Sequence, residues 1–291
     1  MFRGKKIIIV VLSVCLVLGV WLSLDVWVSN NLLVVRHFSY ESEKVDSSFR
    51  LVVIADLHDH VFGVDNGVLV DCILEQSPDV VLMVGDFLNR DSVDVSIPCG
   101  LIELLSEHLP VYFSLGNHEV DFMGENGLDL IGLLESCGVV VLEEDFVDLN
   151  VKGNAVRLGG MYSYAFGSGP SLNEGCLTPE PTKSFLEEFV DTSALKVMMA
   201  HRPDSFIFGD ASSYWNVDLV VSGHLHGGQV VVPGLGGLYA GDQGFFPEYV
   251  HGLYQKDDMS LFVTSGLGSH VQLLPRLNNR PEVAVLDVKG S

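Results

Sequence analysis

Apolar residues occur in this chain as one long run and several short ones. The long run extends from Ile7 to Val28 and contains a single charged residue, Asp25. At about 1.5 Å per residue, a helix of this length spans about 33 Å, which matches the hydrocarbon thickness of a bilayer. We therefore expect a transmembrane helix at residues 7–28, with Asp25 at the polar interface of the membrane.

Three cations lie in the first six residues, before the apolar run: Arg3, Lys5 and Lys6. The positive-inside rule then keeps residues 1–6 in the cytoplasm and places the rest of the chain outside it. A cleaved signal peptide is the alternative, but the run is longer than a usual signal core and no small-residue cleavage site follows. We expect an uncleaved, single-pass anchor in the cell membrane.

The short apolar runs are rich in β-branched residues and predict buried strands, with stretches of helical spacing between them. The expected strands are Leu51–Ala55, Val80–Val84, Val111–Leu115, Val197–Ala200 and Leu219–Val221, and the expected helices are Gly67–Gln76, Gly100–His108 and Leu128–Cys137. Such alternation is typical of an α/β fold with a largely parallel sheet. Strand-like segments within Val139–Met161 and Val230–Val288 indicate a second sheet packed on the first. The sequence thus predicts one α/β domain at residues 49–291 after a polar linker at residues 29–48.

Charge composition excludes one large class of function. The chain has 16 Lys+Arg against 38 Asp+Glu, a formal net charge of −22. Binding to nucleic acid depends on cations that neutralise phosphates, so no nucleic-acid binding surface is expected. A hydrophobic content of 48% excludes a disordered chain. As a separate expectation, the protein is a monomer.

The five cysteines do not form a metal-binding or redox motif. No pair has CxxC spacing, and an odd number is a poor disulfide framework. We expect buried free thiols at these positions, which are Cys15, Cys72, Cys99, Cys137 and Cys176.

Side chains that bind metals follow each of the five predicted strands. In chain order they are Asp56-Leu57-His58, Gly85-Asp86, Gly116-Asn117-His118-Glu119, His201 and Gly223-His224-Leu225-His226. In open α/β sheets, ligands bind beyond the carboxyl ends of the strands, so we expect these clusters to converge at one edge. A single His or Gly-Asp after a strand is usually structural, but five together indicate a site.

The residue types at this edge indicate the kind of site. Two aspartates, one asparagine and four histidines supply oxygen and imidazole ligands without thiolates, which suits Mn, Fe, Zn or Co better than Mg or Ca. Seven ligands are too many for one tetrahedral metal. They suit two divalent ions that share one carboxylate, the arrangement that stabilises phosphoryl transfer.

The ordered pattern D-x-H, G-D, G-N-H-[DE], H and G-H-x-H resembles the calcineurin-like metallophosphoesterases. Further segments, Gly223–Gln229, Ser265–Gly268 and Leu277–Glu282, resemble the bacterial, membrane-anchored phosphodiesterase branch of that family. The resemblance covers roughly residues 49–288. It implies a four-layer α/β/β/α sandwich of two mixed sheets flanked by helices. It also implies a phosphoester hydrolase with two divalent metals, for which manganese is favoured.

The resemblance also implies roles for individual residues. It assigns Asp56, His58 and His226 to the first metal, Asn117, His201 and His224 to the second, and Asp86 to both. In this family a metal-bridging hydroxide attacks phosphorus, so Asp86 counts as catalytic. His118 is not expected to bind metal. It would protonate the leaving oxygen or stabilise charge on the phosphoryl group.

The roles of four other positions stay open at this point. Glu119 would orient His118 near the substrate, or it is a helix cap or a solvated acid. Arg90 would bind a substrate phosphate or form a surface ion pair. Gln229 would hydrogen-bond a metal-binding side chain. The apolar Phe245–Pro247 faces lipid or substrate acyl chains, or it packs in the interior.

Three functions fit these features. The first is hydrolysis of a phosphodiester or pyrophosphate bond, in a small-molecule or lipid-linked substrate near the membrane. The second is hydrolysis of UDP-2,3-diacylglucosamine in lipid A biosynthesis, a reaction on a cytoplasmic substrate, whereas the charge rule places this domain outside. The third is a non-catalytic metal-binding scaffold, which the presence of both Asp86 and His118 argues against.

Overall fold

The computed structural model describes residues 2–167, 174–270 and 274–291, and Met1 of the expected cytoplasmic segment lies outside these ranges. The helices within them are α1 Phe2–Asn31, α2 Gly67–Leu74, α3 Ser96–Ser106, α4 Asn117–Asn126, α5 Leu130–Ser136, α6 Thr182–Val190, α7 Asp204–Ile207 and α8 Ala211–Tyr214. The first eight strands are β1 Val34–Ser42, β2 Phe49–Ile54, β3 Val80–Val84, β4 Val111–Ser114, β5 Val140–Val141, β6 Asp145–Val151, β7 Asn154–Met161 and β8 Leu195–Ala200. The others are β9 Leu219–Ser222, β10 Val231–Val232, β11 Gly236–Gly237, β12 Tyr239–Ala240, β13 Gly244–Phe245, β14 Gly252–Lys256, β15 Met259–Val263 and β16 Glu282–Gly290.

Two six-stranded sheets form the body of the domain. The first has the order β1-β16-β2-β3-β4-β5, and the second has the order β14-β15-β9-β8-β7-β6. Strands β2 to β5 are parallel to one another, as are β7, β8, β9 and β15. Antiparallel pairing joins β16 to β2, β14 to β15 and β6 to β7. Because the central strands are parallel, their carboxyl ends lie at the same edge of each sheet.

Alternate residues of the central strands pack on opposite faces of each sheet. Val52 and Ile54 of β2 pack with helices α2, α3 and α5, whereas Val53 packs between the two sheets. In β8, Val197 packs between the sheets and Met198 packs with α6 and α7. Both faces are buried, which explains the unbroken apolar runs in the sequence. The chain therefore has four layers, helix, sheet, sheet and helix, which confirms the expected α/β fold.

The structure differs from the sequence expectation in the stretch of residues 29–48. Instead of a linker, β1 at Val34–Ser42 is an edge strand of the first sheet, parallel to β16. Eight of its nine residues are partly buried or exposed, and its apolar residues are too few to stand out as a run. Helix α1 also extends beyond the apolar run at both ends.

Helix α1 contacts the domain through its carboxyl-terminal turns. Lys5–Asn31 has a mean hydropathy of 3.0 in its most apolar window, and the domain buries none of that window, so the helix is long and apolar enough to cross a membrane. Contact with the domain begins at Asp25, whose carboxylate accepts the backbone N–H of Asn278 at 2.6 Å. One turn later, Ser29 Oγ accepts the N–H of Asn279 at 3.1 Å. The last turns of α1 therefore sit on the domain.

The expectation of buried free thiols was wrong for four of the five cysteines, because two are bridged and two are exposed. Cys99 in α3 and Cys137 at the end of α5 form a disulfide, with their Cα atoms 5.5 Å apart. Cys15 and Cys176 are exposed thiols and Cys72 is half-buried. The 38-residue separation of the bridged pair has no sequence signature, and only the packing of α3 against α5 brings the two cysteines together.

Candidate metal centre

The expected metal ligands meet where the carboxyl ends of the central strands of both sheets come together. Each follows the last residue of β2, β3, β4, β8 or β9 by a few positions. Five of them have positive φ angles, a backbone conformation that non-glycine residues rarely adopt: Asp56 (55°), His58 (51°), Asp86 (58°), His224 (69°) and His226 (46°). Such strained turns concentrate at functional sites. Here they turn the side chains back toward a common centre.

Interatomic distances show how closely the side chains converge. Oδ2 of Asp86 lies 3.1 Å from Nε2 of His201 and 3.9 Å from Nε2 of His58. Oδ1 of Asp56 lies 3.8 Å from Nε2 of His226 and 3.9 Å from Nε2 of His201. Within the described ranges of the chain, three overlapping groups have ligand atoms within 4.8 Å of one another: Asp56, His58 and His226; His58, Asp86 and His118; and Asp86, His201 and His224.

Hydrogen bonds at the back of three imidazole rings fix which nitrogen faces the site. The Nδ1 atoms of His58, His201 and His226 lie 2.9, 2.7 and 3.2 Å from the oxygen atoms of the Asn89 side chain and of the Val84 and Gly268 carbonyls. Because these oxygens only accept hydrogen bonds, each Nδ1 carries the proton. In the neutral ring each Nε2 then has a lone pair directed into the site, which is the form in which a histidine binds metal.

Several atoms at the centre are buried without a partner. Among the described residues, Nε2 of His58, Nε2 of His201 and Oδ1 of Asn117 are inaccessible to solvent and have no hydrogen bond. The carboxylates of Asp56 and Asp86 are also buried, at 0% and 1% exposure. Leaving the two imidazole nitrogens and the amide oxygen without a partner costs several kcal/mol in total. Divalent cations would compensate all of them, so the donor set fits a cluster of two metal ions.

Protonation of the centre depends on burial and on charge pairing. Burial raises the pKa of Asp56 to about 7, and the nearby Asp86 carboxylate adds to the effect. Burial raises the pKa of Asp86 as well. The nearby imidazoles of His201, His58 and His118 outweigh this effect and hold the pKa of Asp86 well below its usual range. Burial lowers the pKa of His201, and Asp86 and Asp56 outweigh it and raise the value to about 9. A metal ion that binds His201 must therefore displace a proton from its imidazole, so the affinity of the site for metal falls as the pH falls.

His118 occupies a different position from the seven expected ligands. Its Nδ1 accepts the backbone N–H of Arg90 at 3.1 Å, so the proton of the neutral ring is on Nε2. Its own backbone N–H donates to Oδ1 of Asp86 at 2.9 Å. The ring is 4.7 Å from that of His58, centroid to centroid. His118 therefore presents an N–H donor beside the cluster rather than a lone pair.

The Glu119 carboxylate is hydrogen-bonded to backbone N–H groups and is closed off from solvent. The residue is completely buried, and its carboxylate accepts the N–H groups of Asp86 and Phe87, both at 2.7 Å, and that of Gly116 at 2.8 Å. Gly116 is the N-cap residue of α4, and Glu119, the third residue of the helix, accepts its N–H and so helps to cap the first turn. Glu119 thus joins the turn after β3 to the turn after β4.

Arg90 and Gln229 also differ from the first role considered for each. The Arg90 side chain is about half exposed and lies 3.9 Å from Asp121, which is the surface ion pair. The Gln229 amide donates to Ser269 Oγ at 2.9 Å and to the Leu274 carbonyl at 2.6 Å, not to a metal-binding side chain. Both residues border the site through their backbones, because the Arg90 N–H donates to His118 and the Gln229 N–H donates to the His226 carbonyl at 2.9 Å.

Sequence reasoning assigned no role at the centre to four residues that support it: Asn89, His270, Arg276 and Asn279. Asn89 orients His58, and the ring of His270 lies 5.2 Å from that of His118. The fully buried Arg276 donates to the carbonyls of Ser265 and Gly268, each at 2.8 Å. Asn279 donates to the carbonyl of His226 at 2.7 Å. The only signal was the family resemblance of Ser265–Gly268, which Arg276 contacts, and of Leu277–Glu282, which contains Asn279.

A cavity of about 370 Å³ opens beside the cluster. Its polar side includes Asp86, Asn117 and His118, and its apolar side includes Tyr239 and Leu274. The volume suits a small phosphoester or the head of a larger one. Tyr239 and Leu274 therefore place an apolar surface next to Asp86, Asn117 and His118.

Comparisons with known proteins identify the family and several relatives of this chain. The family model for calcineurin-like phosphoesterases matches residues 49–228. Phosphodiesterase YaeI of Escherichia coli (strain K12) is 31% identical over 246 residues, which is 82% of each chain. The uncharacterized metallophosphoesterase YkuE of Bacillus subtilis (strain 168) is 24% identical over 84% of this chain and 80% of its own. A solved structure, TT1561 of Thermus thermophilus, aligns with a TM-score of 0.46 and 13% identity over 76% of this chain and 90% of its own.

The family model covers more than half of the chain, and its matched region contains all seven expected ligands and His118. The same region contains the unpartnered, buried ligand atoms of the cluster. The chain belongs to the calcineurin-like phosphoesterase family and is a metal-dependent phosphoester hydrolase.

Proposed function

We propose that this protein is a membrane-anchored phosphodiesterase that hydrolyses phosphodiester or pyrophosphate bonds with two divalent metal ions, for which we favour manganese. The observation that carries the proposal is the set of Nε2 atoms directed into one buried centre by fixed hydrogen bonds. The E. coli relative is named as a phosphodiesterase, which supports the diester over the monoester.

We assign the ligands as the family pattern suggests. Asp56, His58 and His226 would hold one ion, and their ligand atoms form one of the observed groups. Asn117, His201 and His224 would hold the other, and Asp86 would serve both. When bound, such ions act as Lewis acids and lower the pKa of water so that it can attack phosphorus near neutral pH.

Side chains around the centre would then provide the remaining chemistry. His118 holds a proton at Nε2, because the Arg90 N–H occupies Nδ1, and it can donate that proton to the leaving oxygen. Asp86 is kept ionised by the neighbouring imidazoles. The Glu119 carboxylate holds the two turns that carry Asp86 and Asn117. The apolar side of the cavity limits water around the reacting groups.

We place the domain outside the cytoplasm, with residues 1–6 inside and residues 7–28 in the membrane. Support comes from the cations before α1 and from the apolar helix itself. The Cys99–Cys137 disulfide adds to it, because such bonds persist in oxidising compartments and are rare in the cytosol. Hydrolysis of UDP-2,3-diacylglucosamine would need a cytoplasmic domain, so we do not favour it.

The proposal is tested with the full-length protein in detergent micelles and bis-p-nitrophenyl phosphate as substrate. We expect turnover with Mn²⁺, loss of turnover with a chelator, and recovery when Mn²⁺ is restored. Asp86→Ala should abolish turnover, and His108→Ala, which replaces an exposed histidine at the end of α3, should not. Wild-type protein that is folded but inactive with every divalent metal would support the scaffold function instead.

A further inference from the structure

Two short hairpins next to the metal centre expose large apolar side chains. The first pairs β10 with β11, and the second pairs β12 with β13. Four of their residues, here called the apolar hairpin surface, are Leu235, Tyr239, Phe245 and Phe246, with exposed fractions of 66%, 44%, 72% and 52%. Monomeric soluble proteins rarely expose several large apolar residues together, so this surface indicates a binding function.

Backbone hydrogen bonds make the two hairpins one unit. Leu238 donates to the Val230 carbonyl at 2.8 Å, and Phe246 donates to the Leu238 carbonyl at 2.9 Å. The rings of Tyr239 and Phe245 pack edge to face, 5.1 Å apart. The exposed side chains are therefore held on an ordered support rather than on a loose loop.

The apolar hairpin surface lies beside the point where α1 leaves the domain. Asn278 connects the two: its side chain donates to the Val231 carbonyl of β10 at 3.0 Å, and its backbone N–H donates to Asp25 of α1. A cavity of about 350 Å³ is bordered by Leu235, Pro247 and the same Asn278. Since α1 is exposed from Lys5 to Leu24, a bilayer around α1 would end near Asp25, which Asn278 links to these hairpins.

The charge of residues 230–247 indicates which kind of partner can bind the apolar hairpin surface. Residues 230–247 contain one charged residue, Asp242, and no cation. Anionic headgroups or an acidic surface would find nothing to pair with here, and the net charge of −22 would repel them. An apolar partner that is already present beside α1 fits best, and that partner is the bilayer.

We propose that the apolar hairpin surface inserts into the lipid at the membrane interface next to α1, so that its occupant is bilayer lipid. This inference rests on the membrane anchor of the proposed function. Tyr239 belongs both to this surface and to the wall of the cavity at the metal centre. Insertion would therefore place the cavity entrance at the lipid surface, where an amphiphilic phosphoester can reach the centre without leaving the membrane.

The test uses full-length protein in phosphatidylcholine nanodiscs with a photoreactive residue at one position. The variants are Phe245→benzoylphenylalanine, Phe246→benzoylphenylalanine and, as a control, Val140→benzoylphenylalanine, which replaces an exposed apolar residue on β5 at the far edge of the first sheet from β1. Leu16→benzoylphenylalanine in α1 is the positive control. Irradiated samples are analysed by mass spectrometry for phospholipid adducts.

We expect lipid adducts at positions 245 and 246 at least about tenfold above those at position 140, at low and at high salt alike, because insertion is apolar. Adducts only to a second copy of the chain, or no adducts while position 16 reacts, would overturn the inference. The same nanodiscs are assayed with Mn²⁺ and bis-p-nitrophenyl phosphate in the wild type and in the position 140 variant, which should both show turnover. Turnover without lipid adducts would refute the insertion of the apolar hairpin surface and leave the hydrolase function standing. Lipid adducts without turnover would refute the hydrolase function and leave the insertion standing.

Discussion

At the scale of single residues, the imidazole rings of this site depend on their partners behind the ring. His58 is directed by one side-chain oxygen, that of Asn89, whereas His201 and His226 are directed by backbone carbonyls. A side chain can be removed by substitution and a carbonyl cannot. Asn89 is thus the position at which the effect of ring orientation can be measured.

Asn89→Ala should weaken metal binding by about 10- to 100-fold, because His58 loses the partner that fixes its tautomer and ring plane. Isothermal titration of the metal-free protein with Mn²⁺ measures this change. Asn126→Ala is the matched control, since Asn126 bonds only to the Phe122 carbonyl within α4. Equal affinity of the Asn89 and Asn126 variants would show that His58 needs no such support.

His118→Ala should lower kcat by about 10²–10⁴-fold for substrates with poor leaving groups, because the Nε2 proton is no longer available. For p-nitrophenolate, which leaves without protonation, the loss should be much smaller. Comparing kcat for a nitrophenyl and an alkyl diester in both proteins checks the role. A loss of the same size for both esters would assign His118 to charge stabilisation rather than to proton donation.

At the scale of structural elements, the turns after β3 and β4 are held together by one buried side chain. Glu119 on α4 accepts N–H groups from both turns, and these turns carry Asp86 and Asn117. Burial, together with the Asp86 charge, raises the Glu119 pKa to about 7, so the carboxylate is mostly ionised above that pH.

Glu119→Gln should destabilise the metal-free protein by about 3 kcal/mol near pH 8, because an amide offers one oxygen and places its NH₂ against backbone N–H groups. Urea unfolding of the full-length protein in micelles measures the change. Glu125→Gln, on the exposed side of the same helix, is the control and should be nearly neutral. If Glu119→Gln left the free energy of unfolding unchanged, the two turns would hold their shape without the Glu119 carboxylate.

The disulfide is the second link between elements, and it joins α3 to the end of α5. Closing a loop of 38 residues restricts the unfolded chain and should contribute about 4 kcal/mol to stability. Cys99→Ser/Cys137→Ser should lower the free energy of unfolding by about this amount. Dithiothreitol should lower it in the wild type and leave it unchanged in the double variant. An identical wild-type unfolding curve with and without reductant would contradict the link.

At the scale of the whole molecule, the excess of acids makes stability depend on pH. Glu143 is the clearest case outside the metal centre, because burial and the neighbouring Glu144 raise its pKa from 4.5 to about 8, against the effect of the Tyr162 N–H. The folded state then holds a proton that the unfolded state releases above pH 4.5. Stability from this group is therefore present below pH 4.5 and is lost as the pH rises toward 8.

Glu143→Gln should remove this loss, since the amide imitates the protonated acid at every pH. We expect the variant to gain about 2–4 kcal/mol over the wild type near pH 8 and almost nothing near pH 4.5. Urea unfolding at both pH values measures the difference, and titration of His201 cancels because both proteins share it. Glu107→Gln, an exposed site, is the control. A gain that is the same at both pH values would rule out titration of Glu143.

Much of this architecture follows from local sequence. The apolar runs determined the central strands, because strands buried on both faces admit few polar residues, and the glycines and ligand types after the strands determined where the site lies. The length and apolarity of Ile7–Val28 likewise determined a helix long enough to cross a membrane. These features depend on neighbouring residues alone, so they can be recognised without coordinates.

Only the tertiary structure decided how those pieces act on one another. The imidazole orientations depend on Asn89, Val84 and Gly268, and the disulfide depends on α3 packing against α5. The role of Glu119 stayed open between His118, its neighbour in sequence, and a helix cap, and the sequence did not indicate that its carboxylate reaches a turn more than thirty residues away. Contacts between distant segments are set by the packing of both sheets as a whole, and no local pattern in the chain encodes them.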